Sequence, residues 1–427
     1  MRRINWILRA AGRIRTLVLC QVIVQLLIAS PVGAAEELPI SLDWTSKAFP
    51  ALVIQGDDFS RYPNGQPAAF RGFADPCLRR DPVSGDLWLA YSWPHMEHLG
   101  GDQQNFAVGV ETHLAVSKDG GKTWRRTQVL WPKTPARFAK PKARKARDGS
   151  LSHEVPNIVP CQIDGKQSWV GARLDYFLGR KGNYRDRDNL SFCIRLLTAP
   201  SPPELANAPY ITFGHARSSP ECAVDFNVCD FSKDFPSVFI PNEPSLFFKD
   251  GRLYFAFVCM TFSGRTPDFA KSFIAVFSTE PNGPIRSWKW RYHGKLATNS
   301  EAKELGGEAL TQIEFALSRD GQLLAFLTTE SWDPRAERSG GGDAFFGIRH
   351  HKSLVVEVAS LDAPALKRRS DGRLAVRAIL YSTVNPDKDP GAAAYDPASE
   401  TGVLLTLRDL SSRSNLVWTL HGTSLHP

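Results

Sequence analysis

The sequence predicts an all-β chain, a β-propeller of four-stranded antiparallel blades, with five blades favoured and six as the alternative. Three observations lead there. Helical periodicity is scarce while short apolar strands with turn punctuation are common. One hairpin unit recurs at near-regular spacing, and the chain between successive hairpins has room for two further strands.

The first 35 residues stand apart from this pattern. Arg2, Arg3, Arg9, Arg13 and Arg15 form a positive leader, Thr16 to Ile28 is an apolar run without charge, and Ser30, Pro31, Gly33, Ala34 and Ala35 follow it. That order is the layout of a secretory signal, and the run is short for a membrane span. Residues 1–35 are therefore expected to be removed, leaving 36–427 as a single propeller domain, soluble and secreted or periplasmic. Long loops are expected at 132–150, 178–189, 217–240 and 330–350. Six cysteines follow the leader: Cys77, Cys161, Cys193, Cys222, Cys229 and Cys259. Export permits disulfides, and Cys222 with Cys229, in one loop, is the favoured pair.

The net charge of +8 is unevenly placed. Lys133, Arg137, Lys140, Lys142, Arg144, Lys145 and Arg147 crowd one stretch with Pro135 and Pro141. This reads as a solvated loop, with an anionic polymer (acidic polysaccharide or lipid headgroups) as the sharper reading. Export and the lack of a binding module disfavour nucleic acid.

The hairpin unit is an apolar strand, a glycine turn and a second apolar strand. It appears as PCLRRDPVSGDLWLAYS (76–92), NIVPCQIDGKQSWVGARL (157–174), PSLFFKDGRLYFAFV (244–258), TQIEFALSRDGQLLAFLT (311–328) and AAAYDPASETGVLLTLRD (392–409). The turn glycines Gly85, Gly165, Gly251, Gly321 and Gly402 are separated by 80, 86, 70 and 81 residues. Between hairpins lie further strands, such as HLAVS and WRRTQVLW in the first unit. After the fifth hairpin one good strand remains, NLVWTLHG at 415–422. FPALVIQ at 49–55 is then the expected outer strand that closes the ring.

The turn AVSKDGGKTW at 115–124 has the chemistry of a brace. Asp119 can accept backbone N–H groups, Gly120 and Gly121 supply positive φ, Ser117 and Thr123 add hydroxyls, and Trp124 packs between sheets. Here the chain resembles a known family: S-x-D-G-G-x-T-W matches the Asp-box, or bacterial neuraminidase repeat, found in sialidases and other propellers. STEPNGPIRSW at 278–288 is a weaker version. The resemblance implies a propeller more firmly than it implies an activity.

In such a ring the first strand of each blade begins, and the second ends, around the channel mouth on the face away from these turns. Arg71 and Asp75, His153 and Glu154 with Arg173, Asp175 and Tyr176, Glu243, Glu308 and Glu330, and Asp389 and Tyr395 are placed there. The sialidase resemblance implies Arg71 and Arg173 as carboxylate binders, with Arg408 a weak third, Glu243 as an assisting glutamate and Tyr395 as nucleophile. A resemblance to five-bladed arabinanase-like glycosidases implies instead Asp75 as general base, Glu154 as the neighbour that sets a pKa and Glu243 as general acid. His153, Asp175 and Glu308 complete the expected substrate contacts. Pro244 is expected to hold Glu243 extended at a stiff strand start.

The expected function is a carbohydrate-active propeller, a sialidase-like hydrolase, with the arabinanase-like enzyme or a non-catalytic glycan- or protein-binding propeller as alternatives. No cofactor is called for, and no metal motif stands out.

Overall fold

The computed structural model describes residues 38–43, 49–98, 106–138, 147–179, 192–215, 224–236, 239–263, 266–333, 347–381, 388–412 and 415–427. The leader at 1–35 lies outside them, as do Lys140, Lys142, Arg144 and Lys145 of the basic stretch and Cys222. Among the described residues no helix is long and apolar enough to cross a membrane.

Residues Ile40–Pro427 form one compact unit of five sheets, a five-bladed β-propeller. The innermost strands are Ala74–Arg80, Arg147–Ile163, Phe239–Lys249, Ala309–Leu317 and Lys388–Ala394. Each turns back into a second strand, respectively Leu87–His98, Lys166–Gly179, Arg252–Ser263, Leu323–Trp332 and Leu404–Ser412. All five hairpin glycines have positive φ. At 164–165 and 250–251 the preceding aspartate shares it, as a tight Asp-Gly hairpin turn requires.

The sheets bury both faces against their neighbours, so the core is divided among the seams. Leu246, Phe255 and Phe277 meet Leu196 and Phe213 between blades two and three. Phe247, Val258 and Ile274 meet Phe315 and Leu354 between three and four. Equivalent clusters fill the other three seams. Each large side chain withdrawn there contributes roughly 1.5–3 kcal/mol, which is why the strands read as near-continuous apolar runs instead of alternating.

Ring closure differs from the sequence expectation. The last strand, Asn415–Gly422, is flanked at Leu416–Trp418 by Phe70–Gly72, in parallel. Residues 51 and 52 reach only its far end, through an Ala51–His421 bridge and a Leu52 N–H donated to the Leu420 carbonyl at 2.7 Å. Ile54 and Gln55 pass on to the edge of blade one, beside Trp124 and Arg125. The outer edge of blade five is thus a composite of two N-terminal pieces.

The 117–124 turn reinforces that same seam. Asp119 accepts from the Thr123 N–H and hydroxyl at 2.9 and 2.6 Å and from the Ser117 hydroxyl at 2.8 Å. The Trp124 indole donates to the Gly121 carbonyl at 2.9 Å. Across the seam, the Glu400 N–H donates to the Gly120 carbonyl at 2.8 Å and Lys122 pairs with the Glu400 carboxylate. In STEPNGPIRSW, Trp288 repeats the indole-to-glycine bond, to Gly283 at 3.1 Å.

The cysteine expectation is corrected. Cys229 is a thiol, as are Cys77, Cys161 and Cys259, whereas Cys193 is disulfide-bonded. Cys193 lies in the buried third strand of blade two, which a reading by loop proximity could not single out.

Candidate functional site

Every innermost strand breaks its register once, near the mouth, by a β-bulge. The breaks fall between Ala74 and Cys77, at 155–156 opposite Ala172–Leu174, between Asn242 and Ser245, between Thr311 and Glu314, and between Pro390 and Ala393. In four of them a non-glycine residue takes the left-handed region: Asp75 (φ 48°), Val155 (φ 49°), Glu243 (φ 50°) and Gln312 (φ 58°). Proline follows the first three. It suits a bulge because the unpaired position needs no ladder N–H. The expected extended Glu243 is therefore wrong in conformation: the bulge, not Pro244, sets its backbone. Conformations of this kind are costly and collect at functional sites.

The bulges aim their residues into a cavity of about 150 Å³ at the channel mouth. Its wall includes Asp75, Glu154, Glu243 and Glu330, with Gln312, Asn242, His350, Arg408 and Trp418. Two larger depressions lie on the turn face, around Arg252, Lys289 and Arg291 and around Val53, Lys122 and Glu400. Neither gathers carboxylates as the mouth does.

At the mouth the acids outnumber the cations that could offset them. Burial pushes Asp75 up to about 6, against a favourable bond from Ser92. Burial and then the Asp75 charge push Glu154 up to about 8, partly offset by the Tyr176 hydroxyl donating to Oε2 at 3.0 Å. Glu243 is raised well above the usual range by burial and by repulsion from Asp75, Glu154 and Glu330. Burial raises Glu330 to about 7, with Arg408 pulling the other way. Arg408 is itself committed, giving Asp389 two bonds, from Nε at 3.0 Å and Nη2 at 2.8 Å. His350, 3.9 Å from Glu330, is kept neutral by burial and by Arg408, down to about 3.

Below the mouth the axis is closed by a polar plug. Arg79 pairs with Glu314 at 2.5 Å and donates to the carbonyls of Leu246 and Phe315. Asn157 and Ser245 donate to the same glutamate. Cys77, Asn157, Ser245 and Glu314 stand two residues beyond their bulges, so one side chain from each of four blades meets on the axis.

Several residues expected at the mouth are elsewhere. His153, Arg173 and Asp175 do not line the cavity. They form a buried cluster in blade two, where Asp175 takes His153 at 2.6 Å, Arg173 at 2.9 Å and Arg195 at 3.0 Å. Burial would raise Asp175, but Arg173, His153 and Arg195 outweigh it and hold the carboxyl well below its ordinary range. Arg71 sits on the outer strand of blade five and donates to the Ala68 carbonyl at 2.6 Å. Glu308 is exposed and outside the cavity lining, its carboxylate accepting from the Trp332 N–H at 3.2 Å.

Tyr395 is furthest displaced. The fifth inner strand ends at Ala394, so the tyrosine emerges on the turn face, buried against Phe326 and His426. The channel-mouth position expected for it is at the other end of that strand.

Gln312, His350 and Trp418 were not singled out from sequence. The available signal was the repeat of a bulge residue, often followed by proline, two positions before the axial residue. Among the described residues no group of three or more His, Cys, Asp and Glu is arranged to hold a metal ion.

Fold and site together define a five-bladed propeller with a carboxylate-lined mouth. No protein-family model matches the sequence, and no curated protein matches it. Among solved structures, the chain is similar to a thermostable family-43 glycoside hydrolase, at 12% identity over 74% of this chain and 95% of that one, with a TM-score of 0.37. It is also similar to an exo-1,5-α-L-arabinanase from a bovine ruminal metagenomic library, at 12% identity over 84% and 94%, with a TM-score of 0.40. An α-L-arabinanase from Cellvibrio cellulosa, complexed with arabinohexaose, gives 12% identity over 82% and 90% and a TM-score of 0.41. At this identity and overlap the likeness bears on no residue and no activity of this chain.

Proposed function

We propose that this protein is a glycoside hydrolase that cleaves a neutral sugar at the propeller mouth, the arabinanase-like reading in preference to the sialidase-like one. The observation that carries it is the meeting of Asp75, Glu154 and Glu243 in one cavity whose sole arginine among the described lining residues is already neutralised by Asp389. A sialic acid needs cations for its carboxylate. Here Arg71 and Arg173 point elsewhere, and Tyr395 is on the other face.

The division of labour follows from the order in which the acids ionise. Asp75, at about 6, is largely a carboxylate at neutral pH and serves as the base that takes a proton from water. Glu243, raised well above the usual range, retains its proton and delivers it to the leaving oxygen. Glu154 contributes a neighbouring carboxyl that tunes both. The small cavity suits one terminal sugar more than a run of them, since pockets for larger ligands span ~300–1,000 Å³. Export remains part of the proposal, as does retention on anionic polymers through the basic stretch.

The test is hydrolysis of aryl glycosides of arabinofuranose, xylopyranose, galactopyranose and sialic acid, with glycan binding measured beside it. Glu243→Gln should retain binding while turnover falls by roughly two to four orders of magnitude. The wild type should show a bell-shaped pH profile with its acid limb near pH 6, from Asp75. Binding without hydrolysis by the wild type would replace the enzyme with a binding propeller.

A further inference from the structure

Gln312 occupies the bulge of blade four that corresponds to Asp75 in blade one and Glu243 in blade three. Its backbone is held at φ 58°, in the same left-handed region as theirs, and its side chain lines the same cavity. The fourth such position, Val155, is apolar. Among the described residues, Gln312 is therefore the only side chain without an ionisable group that a left-handed bulge presents to the mouth as a hydrogen-bonding partner.

The Oε1 of its amide is shielded from solvent and has no hydrogen-bond partner among the described residues. A buried amide oxygen left unpaired is unfavourable, and so is a left-handed glutamine. Two unfavourable features at one position are not explained by packing, since a methionine would fill similar space and a glycine would relax the backbone. They are explained by a ligand that supplies the missing partners.

We infer that Gln312 is a substrate-binding and specificity-determining residue, which reads hydroxyl groups of the neutral sugar held between Asp75 and Glu243. This rests on the glycosidase reading above and names the chemistry it selects. A carboxamide accepts through Oε1 and donates through Nε2, so it engages two adjacent hydroxyls in complementary senses. Its neutrality matters in a wall of four carboxyls. Another acid would add repulsion, and a cation would pair with its neighbours and no longer be free for the sugar.

The experiment separates binding from turnover by using the Glu243→Gln background, with calorimetric affinities for the sugars of the panel above and for their monodeoxy analogues. In that background the amide-bearing protein should prefer at least one parent sugar to its deoxy form by on the order of 10- to 100-fold. Adding Gln312→Met should abolish that preference, while Gln312→Asn, which keeps the amide and tolerates positive φ, should restore part of it. Retention of the full preference by Gln312→Met overturns the inference and leaves the glycosidase reading intact. Equal affinity for parent and deoxy sugars before any change at 312 also overturns it. If no sugar binds the wild type, the glycosidase reading falls and takes this inference with it. Gln312→Gly serves as the folding control: removal of the strain should leave the melting temperature at or above that of the parent.

Discussion

The carboxylates at the channel mouth and the single carboxylate at the centre of the blade-two cluster behave in opposite ways. At the mouth, Asp75, Glu154, Glu243 and Glu330 are pushed upward, because burial penalises their charge and their nearest charged neighbours are mostly one another. In blade two, Asp175 is at least as deeply buried and is pulled down, because two arginines and a histidine surround it. Burial alone therefore does not distinguish a reactive acid from a structural one. The partners decide, and a cluster whose lining arginine is committed to Asp389 retains protons that it can exchange at neutral pH.

Removing one charge from each group should separate them most sharply. Glu243→Gln should lose turnover and keep its fold, whereas Asp175→Asn should strand Arg173 and Arg195 and cost about 3–5 kcal/mol of stability. Chemical denaturation of both variants checks this. If Asp175→Asn proves as stable as the parent, the cluster is not an ion-paired anchor.

The pH dependence of stability gives a smaller effect of definite sign. Folded Glu154 holds its proton up to about pH 8, whereas the unfolded chain releases it near 4.5. Between those values the folded state binds more protons, so the mouth is most stabilising below about pH 4.5 and loses stability as pH rises through the window. Asp175, with its lowered value, runs the other way: its contribution is present above the unfolded value of 3.8 and is lost as pH falls below it. Glu154→Gln should thus raise stability at pH 8 by on the order of 2 kcal/mol and leave pH 4 nearly unchanged. Thermal melts at the two pH values decide it.

The turn face supplies two controls. Asp119→Ala removes the bonds to Thr123 and Ser117 and should lower the melting temperature modestly, without altering activity per folded molecule. Unchanged melting with lost activity would mean that this turn is not a brace. Tyr395→Phe should do least of all, leaving turnover within twofold, since only a nucleophile's hydroxyl is sensitive to that change. Loss of activity there would revive the sialidase-like assignment.

Much of the fold was legible in the sequence because it is repeated locally. The strand WRRTQVLW is observed with those bounds, Trp124–Trp131, and NLVWTLHG as Asn415–Gly422. Asp75, Glu154 and Glu243 could be placed near the mouth because each stands just ahead of a recognisable hairpin run, those beginning at 76, 157 and 244. Strand polarity then fixes the face. His153 and Tyr176 flank the same starts, yet His153 turns into the Asp175 cluster while Tyr176 reaches Glu154 from behind. Side-chain direction changes with each residue, and a bulge shifts it by one.

The sequence by itself determined what is periodic in this protein: five apolar hairpins, their glycine turns, and the brace at 117–124, all set by interactions within about 20 residues. Only the tertiary structure decided which acids share a cavity, which are silenced by arginines, and where the N-terminal segment completes the ring. Those outcomes depend on contacts such as Arg79 with Glu314, Asn157 with Glu314 and Leu52 with Leu420, which join distant parts of the chain. The physical reason is that the charge state and direction of a side chain are properties of its surroundings, and here those surroundings come from different blades.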